Sequence, residues 1–120
     1  MCGIVSIIQK DWTKTLNYAA EKAFSVMLFA DAVRGTDGTG YFYFNNQKKQ
    51  VLFQKKGKPS WAAMPEMVDI KKLAGTARWI VGHNRKATMG SGLDSEAHPF
   101  IHQDITLVHN GTLSNFFQLK

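Results

Sequence analysis

Cys2 is the residue whose type and position indicate the most about chemistry. It is the only cysteine in the chain, and it directly follows the initiator Met1. A small second residue usually allows the initiator methionine to be removed, which leaves Cys2 with a free α-amine beside its own thiol. A free α-amine has a pKa of roughly 7.7–8.0 and a free thiol about 8.5. The amine can therefore take the thiol proton near neutral pH, and the resulting thiolate is a nucleophile.

Polar clusters that contain glycine are predicted at the ends of strands. They comprise residues 1–4, 34–40, 82–90 and 108–111, with 97–99 (Ala-His-Pro) as a smaller fifth marker. Each has an ordinary structural explanation, since Gly-rich loops are usually turns and Asn-Gly is the commonest hairpin dipeptide. Their joint occurrence in this order is what indicates a functional site.

Length and composition predict one small globular domain. The 120 residues are 44% hydrophobic and 20% charged, which provides for a core and argues against disorder. The formal net charge of +6 is compatible with an acidic partner or nucleic acid. However, the Lys and Arg residues are scattered and form no stripe interleaved with aromatic residues, so nucleic-acid binding is a weak hypothesis.

The single cysteine excludes an internal disulfide and fits a reducing, cytoplasmic location. The apolar opening over residues 4–8 is too short for a signal peptide or a membrane span, so no membrane partner is predicted. Three of the four histidines, His98, His102 and His109, fall within twelve residues. Their spacing does not match a zinc site, and neither a metal nor another cofactor is predicted.

Hydrophobic periodicity predicts a mixed order of strands and helices. After a first strand, Asp11 or Thr13 is expected to cap a helix that ends near Val33, because Gly35 offers a stop. The predicted elements are strands over 3–9, 41–44, 50–54, 77–82 and 105–109, a tight loop over 34–40, a short helix over 60–67 and a last helix capped by Thr112. This order favours an α+β sandwich over a doubly wound sheet. The helical pattern reaches Lys120 without a stop signal, which predicts a domain that is incomplete at its C-terminus.

The combination resembles the class II glutamine amidotransferase domain, an N-terminal-nucleophile (Ntn) hydrolase found in glucosamine-6-phosphate synthase, amidophosphoribosyltransferase and asparagine synthetase. The matching segments are 2–4, 34–40, 82–88, 97–99 and 109–111, and the resemblance runs from residue 2 to about residue 115. It implies an αββα sandwich. Residues 1–120 would form one such domain, truncated or minimal, without an acceptor or synthase domain.

The resemblance also implies roles for individual residues. Cys2 would attack the side-chain amide of L-glutamine, with its α-amine as general base. The Asn110 side chain and the Gly111 backbone N–H would form the oxyanion hole. Arg85 would bind the α-carboxylate of glutamine, for which a planar guanidinium is suited. Arg34 would hold the neighbourhood of the nucleophile.

Two further residues, Thr88 and His98, complete the substrate-binding set that the resemblance implies. The chain also departs from the family, because Lys86 stands where relatives often carry an aromatic residue and Met89 where they often carry histidine. The family binds the α-amine of glutamine with an aspartate beyond the His-Asn-Gly segment, and no residue up to Lys120 matches it.

Three functional interpretations are open from the sequence. The leading one is a domain that makes ammonia from glutamine for an acceptor domain or subunit. A second is a different Ntn hydrolase that cleaves another amide, which Arg85 and Thr88 disfavour because they suit an amino-acid substrate. The third is a catalytically inactive, truncated remnant that binds a protein or nucleic-acid partner. Retention of Met1 would favour the third, since it locks the Cys2 α-amine in a peptide bond.

Overall fold

A computed structural model describes residues 1–90 and 92–119, apart from the side chains of residues 68, 69 and 116. The described residues form the following strands and α-helices: β1 (Gly3–Ile8), α1 (Tyr18–Ala30), β2 (Gly38–Asn45), β3 (Gln50–Lys56), α2 (Ser60–Ala63), β4 (Ala77–Arg85), β5 (Phe100–His102), β6 (Ile105–Leu107) and α3 (Phe116–Leu119). Short 3-10 turns occur at Asp31–Arg34, Met64–Glu66, Val68–Lys72 and Asp94–Glu96. The predicted last helix begins at Phe116 and not directly after Thr112. Its predicted continuation into Lys120 lies outside the described residues.

The main sheet is antiparallel, with strand order β1-β4-β2-β3, while β5 and β6 form a separate two-stranded ribbon. Gly3 at the start of β1 pairs with Asn84, and Gly38 at the start of β2 pairs with Arg85. This register brings the starts of β1 and β2 to the end of β4. Residues far apart in sequence therefore meet at one end of the sheet.

Helix α1 covers one face of this sheet. Phe24 and Leu28 are fully buried against it, and burying such side chains contributes roughly 1.5–3 kcal/mol each. Gly82 permits this close approach, because a Cβ there would lie 2.8 Å from Phe24 and 2.9 Å from Leu28. The core residues are Leu16, Phe24, Leu28, Tyr41, Tyr43, Ala63, Met67, Ile70, Leu73, Ala77 and Ile80.

The opposite face of the sheet carries Ile4, Ile8 and Phe53, which are exposed in the described part of the chain. The architecture is mixed α and β with antiparallel sheets. Helix α1 and the four-stranded sheet beneath it form two layers. The complete four-layer sandwich stays a prediction.

Several predicted boundaries are wrong. The helix begins after Asn17, whose side chain accepts the Ala20 N–H at 2.9 Å, whereas Asp11 instead closes a local turn by accepting the Thr13 N–H. The glycine-rich segment 34–40 is not all loop, because strand β2 begins at Gly38 and hydrogen-bonds with β4. Strand β4 continues past the predicted end at residue 82 to Arg85.

None of the helices in residues 1–90 and 92–119 has the length and apolar run required to cross a membrane.

Candidate functional site

The thiol of Cys2 is held against the turn that follows β4. Cys2 is only 8% exposed, and its Sγ accepts the backbone N–H of Lys86 at 3.3 Å. The Lys86 carbonyl oxygen lies 3.7 Å from the same sulfur. On the other side, the Arg34 Nε donates to the Cys2 carbonyl oxygen at 3.2 Å. These contacts fix the position of the Cys2 sulfur against the backbone of the turn.

Asp37 holds this turn in place. Its carboxylate accepts the Ala87 N–H at 2.8 Å and lies 3.4 Å from the Lys86 Nζ, while its own N–H donates to the Arg85 carbonyl at 2.9 Å. The Ala87 hydrogen bond, followed by the Lys86 charge, lowers the pKa of Asp37 despite partial desolvation. Gly35 is required beside it, because a Cβ there would overlap the Arg85 carbonyl and the Lys86 nitrogen.

A cavity of about 510 Å³ opens beside Cys2. It is lined by Cys2, Arg85, Lys86, Thr88, Met89, Gly90, Ser95, Glu96, His98, Phe100, His109, Gly111, Thr112, Leu113 and Phe117. Of the residues that the sequence singled out, the cavity brings together Cys2, Arg85, Thr88, His98 and Gly111. Arg34 lies behind Cys2, and Asn110 lies in the exposed loop next to Gly111 without lining the cavity.

The guanidinium of Arg85 is fixed inside this cavity. Its Nη2 donates to the Met89 carbonyl at 2.5 Å, and its Nη1 lies 3.5 Å from Oε2 of Glu96. The same Glu96 oxygen accepts the Gly92 N–H at 2.9 Å, which ties the 89–96 loop to the arginine. Gly90 adopts φ +101, and a Cβ there would lie 2.6 Å from Glu96 Oε2. A side chain at position 90 would therefore push the charged pair apart.

Two buried histidines stack behind the cavity. The ring centroids of His83 and His98 are 3.8 Å apart, and the His83 Nε2 lies 3.0 Å from the His109 carbonyl oxygen. Because a carbonyl only accepts, Nε2 of His83 carries the proton. Gly40 allows this stack, since a Cβ at position 40 would overlap the His98 carbonyl oxygen.

Both histidines are electrically neutral near pH 7. Burial, followed by the effect of the neighbouring His83, lowers the pKa of His98 to about 3. Burial also lowers the pKa of His83, against the opposing effect of its hydrogen bond to His109. The His83 hydrogen bond therefore supports the peptide that leads into Asn110 and Gly111 without adding charge. Within the described residues, no group of three His, Cys, Asp or Glu side chains is arranged to hold a metal ion.

Sequence reasoning missed three contributors to this site. Glu96 was not singled out, although an acidic residue directly before the Ala-His-Pro marker was an available signal. His83 was noted only as part of a motif, and its contact with the His109 carbonyl had no signature in the sequence. The Lys86 contribution comes from its backbone N–H, which no side-chain pattern reveals.

The site thus combines a buried thiol with a fixed arginine at one cavity, an arrangement suited to a carboxylate-bearing substrate attacked by cysteine. A family model described as "Glutamine amidotransferases class-II" matches residues 13–120. The chain belongs to the class II glutamine amidotransferases, whose members are Ntn-type enzymes.

Curated relatives from two enzymes of this family align with the whole chain. The glutamine–fructose-6-phosphate aminotransferase of Sulfolobus acidocaldarius is 32% identical over 123 residues, covering 100% of this chain and 19% of the relative. The amidophosphoribosyltransferase of Pasteurella multocida is 33% identical over 123 residues, covering 100% of this chain and 22% of the relative. The chain therefore spans about a fifth of the length of these relatives.

Proposed function

We propose that this chain hydrolyses L-glutamine to glutamate and ammonia through a thioester on Cys2, and that the ammonia passes to an acceptor on a further domain or subunit. One observation carries the proposal: the Cys2 thiol, with the Lys86 N–H directed at its sulfur, shares a cavity with the fixed guanidinium of Arg85. Membership of the glutamine amidotransferase family supports glutamine as the amide that is cleaved.

Removal of Met1 begins the mechanism, and its 81% exposure makes it accessible to an aminopeptidase. The freed α-amine of Cys2 takes the thiol proton, and the thiolate attacks the carbonyl carbon of the glutamine side chain. The tetrahedral intermediate carries an oxyanion, and Gly111, which lines the cavity, supplies one donor through its N–H. The second donor is the Asn110 side chain, which has to turn into the cavity from the exposed loop. Each such donor is worth about 2.7–4 kcal/mol of barrier.

Collapse of the intermediate breaks the carbon–nitrogen bond and forms the γ-glutamyl thioester. The protonated α-amine of Cys2 gives its proton to the departing nitrogen, which leaves as ammonia. Water then attacks the thioester carbonyl, releasing glutamate and restoring the thiol. Every proton taken up in the first half is returned, so the cycle needs no cofactor.

The remaining residues of the cavity bind the substrate. Arg85 grips the α-carboxylate, since its fixed guanidinium presents donors to both oxygens. Thr88 lines the wall and lies 3.3 Å, Oγ1 to Oγ1, from Thr112, which joins the 85–90 turn to the loop that carries Gly111. His98 forms the floor of the cavity as a neutral ring. The Arg34 Nε donates to the Cys2 carbonyl oxygen and so holds Cys2 in place.

In this proposal the acceptor binds to a further domain or to a separate subunit. One relative is named for fructose 6-phosphate and the other for a phosphoribosyl group. Both are phosphorylated sugars, so we infer an acceptor of this chemical class.

Two measurements test the proposal. Mass spectrometry of the purified protein reports whether Met1 is removed, and incubation with L-glutamine, followed by a glutamate assay, reports turnover. We expect a processed N-terminus and release of glutamate that Cys2→Ala abolishes while the variant stays folded. A retained Met1 with no glutamate would instead favour the inactive binding module. Glutamate release by Cys2→Ala at the wild-type rate would exclude Cys2 as the nucleophile.

A further inference from the structure

One segment of the chain supplies a large part of the cavity wall. Residues 95–100 form this wall segment, and four of the residues that line the cavity belong to it: Ser95, Glu96, His98 and Phe100. Within the segment, Glu96 lies 3.5 Å from the guanidinium of Arg85, from Oε2 to Nη1, and His98 stacks on His83. The position of the wall segment therefore determines where Arg85 presents its donors to a ligand.

Lys55 lies beneath the wall segment, on the strand at the edge of the main sheet. It belongs to β3 and pairs with Gly40 of β2. A Cβ at Gly40 would overlap the His98 carbonyl oxygen and would lie 2.8 Å from the Lys55 Cβ. The wall segment therefore crosses the same face of the sheet from which the Lys55 side chain projects.

The Lys55 ammonium group holds the wall segment at two points. Its Nζ donates to the Ser95 carbonyl oxygen at 3.2 Å and to the Pro99 carbonyl oxygen at 3.1 Å. Hydrogen bonds from an ionised donor are roughly twice as strong as those between neutral groups. Because the two acceptors bracket Glu96 and His98, a single side chain restrains both ends of the stretch that carries these cavity groups.

The surroundings of the Lys55 ammonium group suit this role. The side chain is half-buried, and burial lowers the pKa of Lys55 while the Asp94 carboxylate opposes that shift. The Nζ also lies 5.3 Å from the centroid of the Phe100 ring. The cation has lost part of its hydration, and two carbonyl oxygens and an aromatic face take the place of water. Loss of the cation would leave these carbonyl oxygens without this donor.

We propose that Lys55 is a positioning residue of the cavity, which holds the wall segment at both ends, keeps Glu96 against Arg85 and so fixes the guanidinium for the substrate. Lys55 then acts on substrate binding and not on the nucleophile, because Cys2 is held by the turn after β4 and by Arg34. This inference rests on the proposed hydrolysis of glutamine and adds a residue, remote from the reacting atoms, on which the affinity for glutamine depends.

The test compares Lys55→Met, which keeps an apolar stem and removes the donor, with Lys55→Arg, which keeps a charged donor. In Lys55→Met we expect KM for glutamine to rise about five- to twentyfold, with kcat within about twofold of the wild-type value, because uniform binding is lost through a residue that does not touch the ligand. Lys55→Arg should recover most of the affinity. Lys58→Met is the matched control, since Lys58 pairs with Glu66 and its loss should leave KM unchanged.

A second measurement does not depend on glutamine. Hydrogen–deuterium exchange of peptides that cover residues 93–99 reports whether the wall segment is held, because amides in short turns exchange through local opening. The Glu96 and Ala97 N–H groups donate to carbonyls one turn earlier and should exchange faster in Lys55→Met. Alkylation of Cys2 by iodoacetamide, a neutral reagent, should keep its wild-type rate in the same variant.

The possible outcomes separate this inference from the proposed function. Unchanged exchange in Lys55→Met overturns the inference whatever the activity, because Lys55 then does not hold the wall segment. Faster exchange with an unchanged KM also overturns it and leaves glutamine hydrolysis standing. A KM in Lys55→Arg as high as in Lys55→Met overturns it too, since the charged donor is then not what matters. Absence of glutamate release by the wild-type chain overturns the proposed function and, with it, the effect of Lys55 on glutamine.

Discussion

Acidification should destabilise this fold through His98. In the unfolded chain its pKa is 6.5, and in the fold burial and the adjacent His83 lower it to about 3. The native state therefore disfavours the protonated ring. The stability associated with a neutral His98 is fully present above about pH 6.5 and is lost as the pH falls toward about 3.

The magnitude follows from linkage. Each pH unit below the unfolded pKa costs about 1.36 kcal/mol for a group that stays neutral in the fold, so about 2 kcal/mol is lost by about pH 5. The interval between pH 6.5 and about 5 lies above the range in which Asp37 and Asp94 titrate, because their pKa values are lowered below 3.8. His83 shifts in the same direction and adds to the loss.

Urea unfolding at about pH 7.5 and about pH 5 measures the effect, since the change in midpoint at a constant m-value reports the change in stability. We expect His98→Gln to lose most of the pH dependence between these two values. His102→Gln is the control, because His102 is exposed and its removal should leave the dependence as it is. If His98→Gln keeps the full wild-type dependence, the buried neutral histidine is not its source.

Three further perturbations test other parts of the site. Gly40→Ala should destabilise the protein by about 1–3 kcal/mol in thermal unfolding. Gly38→Ala should cost less, because the nearest atom to a Cβ at Gly38 is a methyl group 3.1 Å away. Equal losses for the two variants would contradict the close approach at Gly40. Asp37→Ala should slow alkylation of the Cys2 thiol by iodoacetamide about three- to tenfold, because the turn whose backbone N–H donates to the sulfur loses its hydrogen bond to Asp37. An unchanged rate would show that Asp37 does not support the nucleophile. Asn110→Ala should lower kcat for glutamine about 10²–10³-fold with little change in KM; a mainly raised KM would move Asn110 from the oxyanion to ground-state binding.

The sequence predicted the location of the site better than its contacts. Cys2, Arg85, Thr88, His98 and Gly111 were singled out by type and motif, and the fold brings them to one cavity. Their meeting depends on the register of three antiparallel strands, which periodicity alone does not specify. Membership of the class II glutamine amidotransferases, expected from the joined motifs, is confirmed. The catalytic and binding roles of the individual residues stay predictions.

The predicted start of α1 and the predicted end of β4 are wrong, because hydrogen bonds formed in the fold outweigh the local sequence preference. Asp11 and Thr13 were reasonable caps by residue type, yet they bond to each other and leave the cap to Asn17. The end of β4 was placed too early because Gly82 and the polar residues after it look like a turn. Strand pairing with β1 and β2 on both sides of β4 outweighs that local preference.

Two glycines of segment 34–40 have a packing role that the sequence motif does not indicate. Three glycines in seven residues predicted a tight loop, but Gly35 and Gly40 lie where a second segment of the chain packs directly against the backbone. At Gly35 that segment is the turn that donates to the Cys2 sulfur, and at Gly40 it is the carbonyl of His98. Their small size therefore sets the spacing between the nucleophile, the turn after β4 and the cavity floor. A side chain at either position would leave Cys2, Arg85 and His98 in the sequence but would separate the groups that must act together.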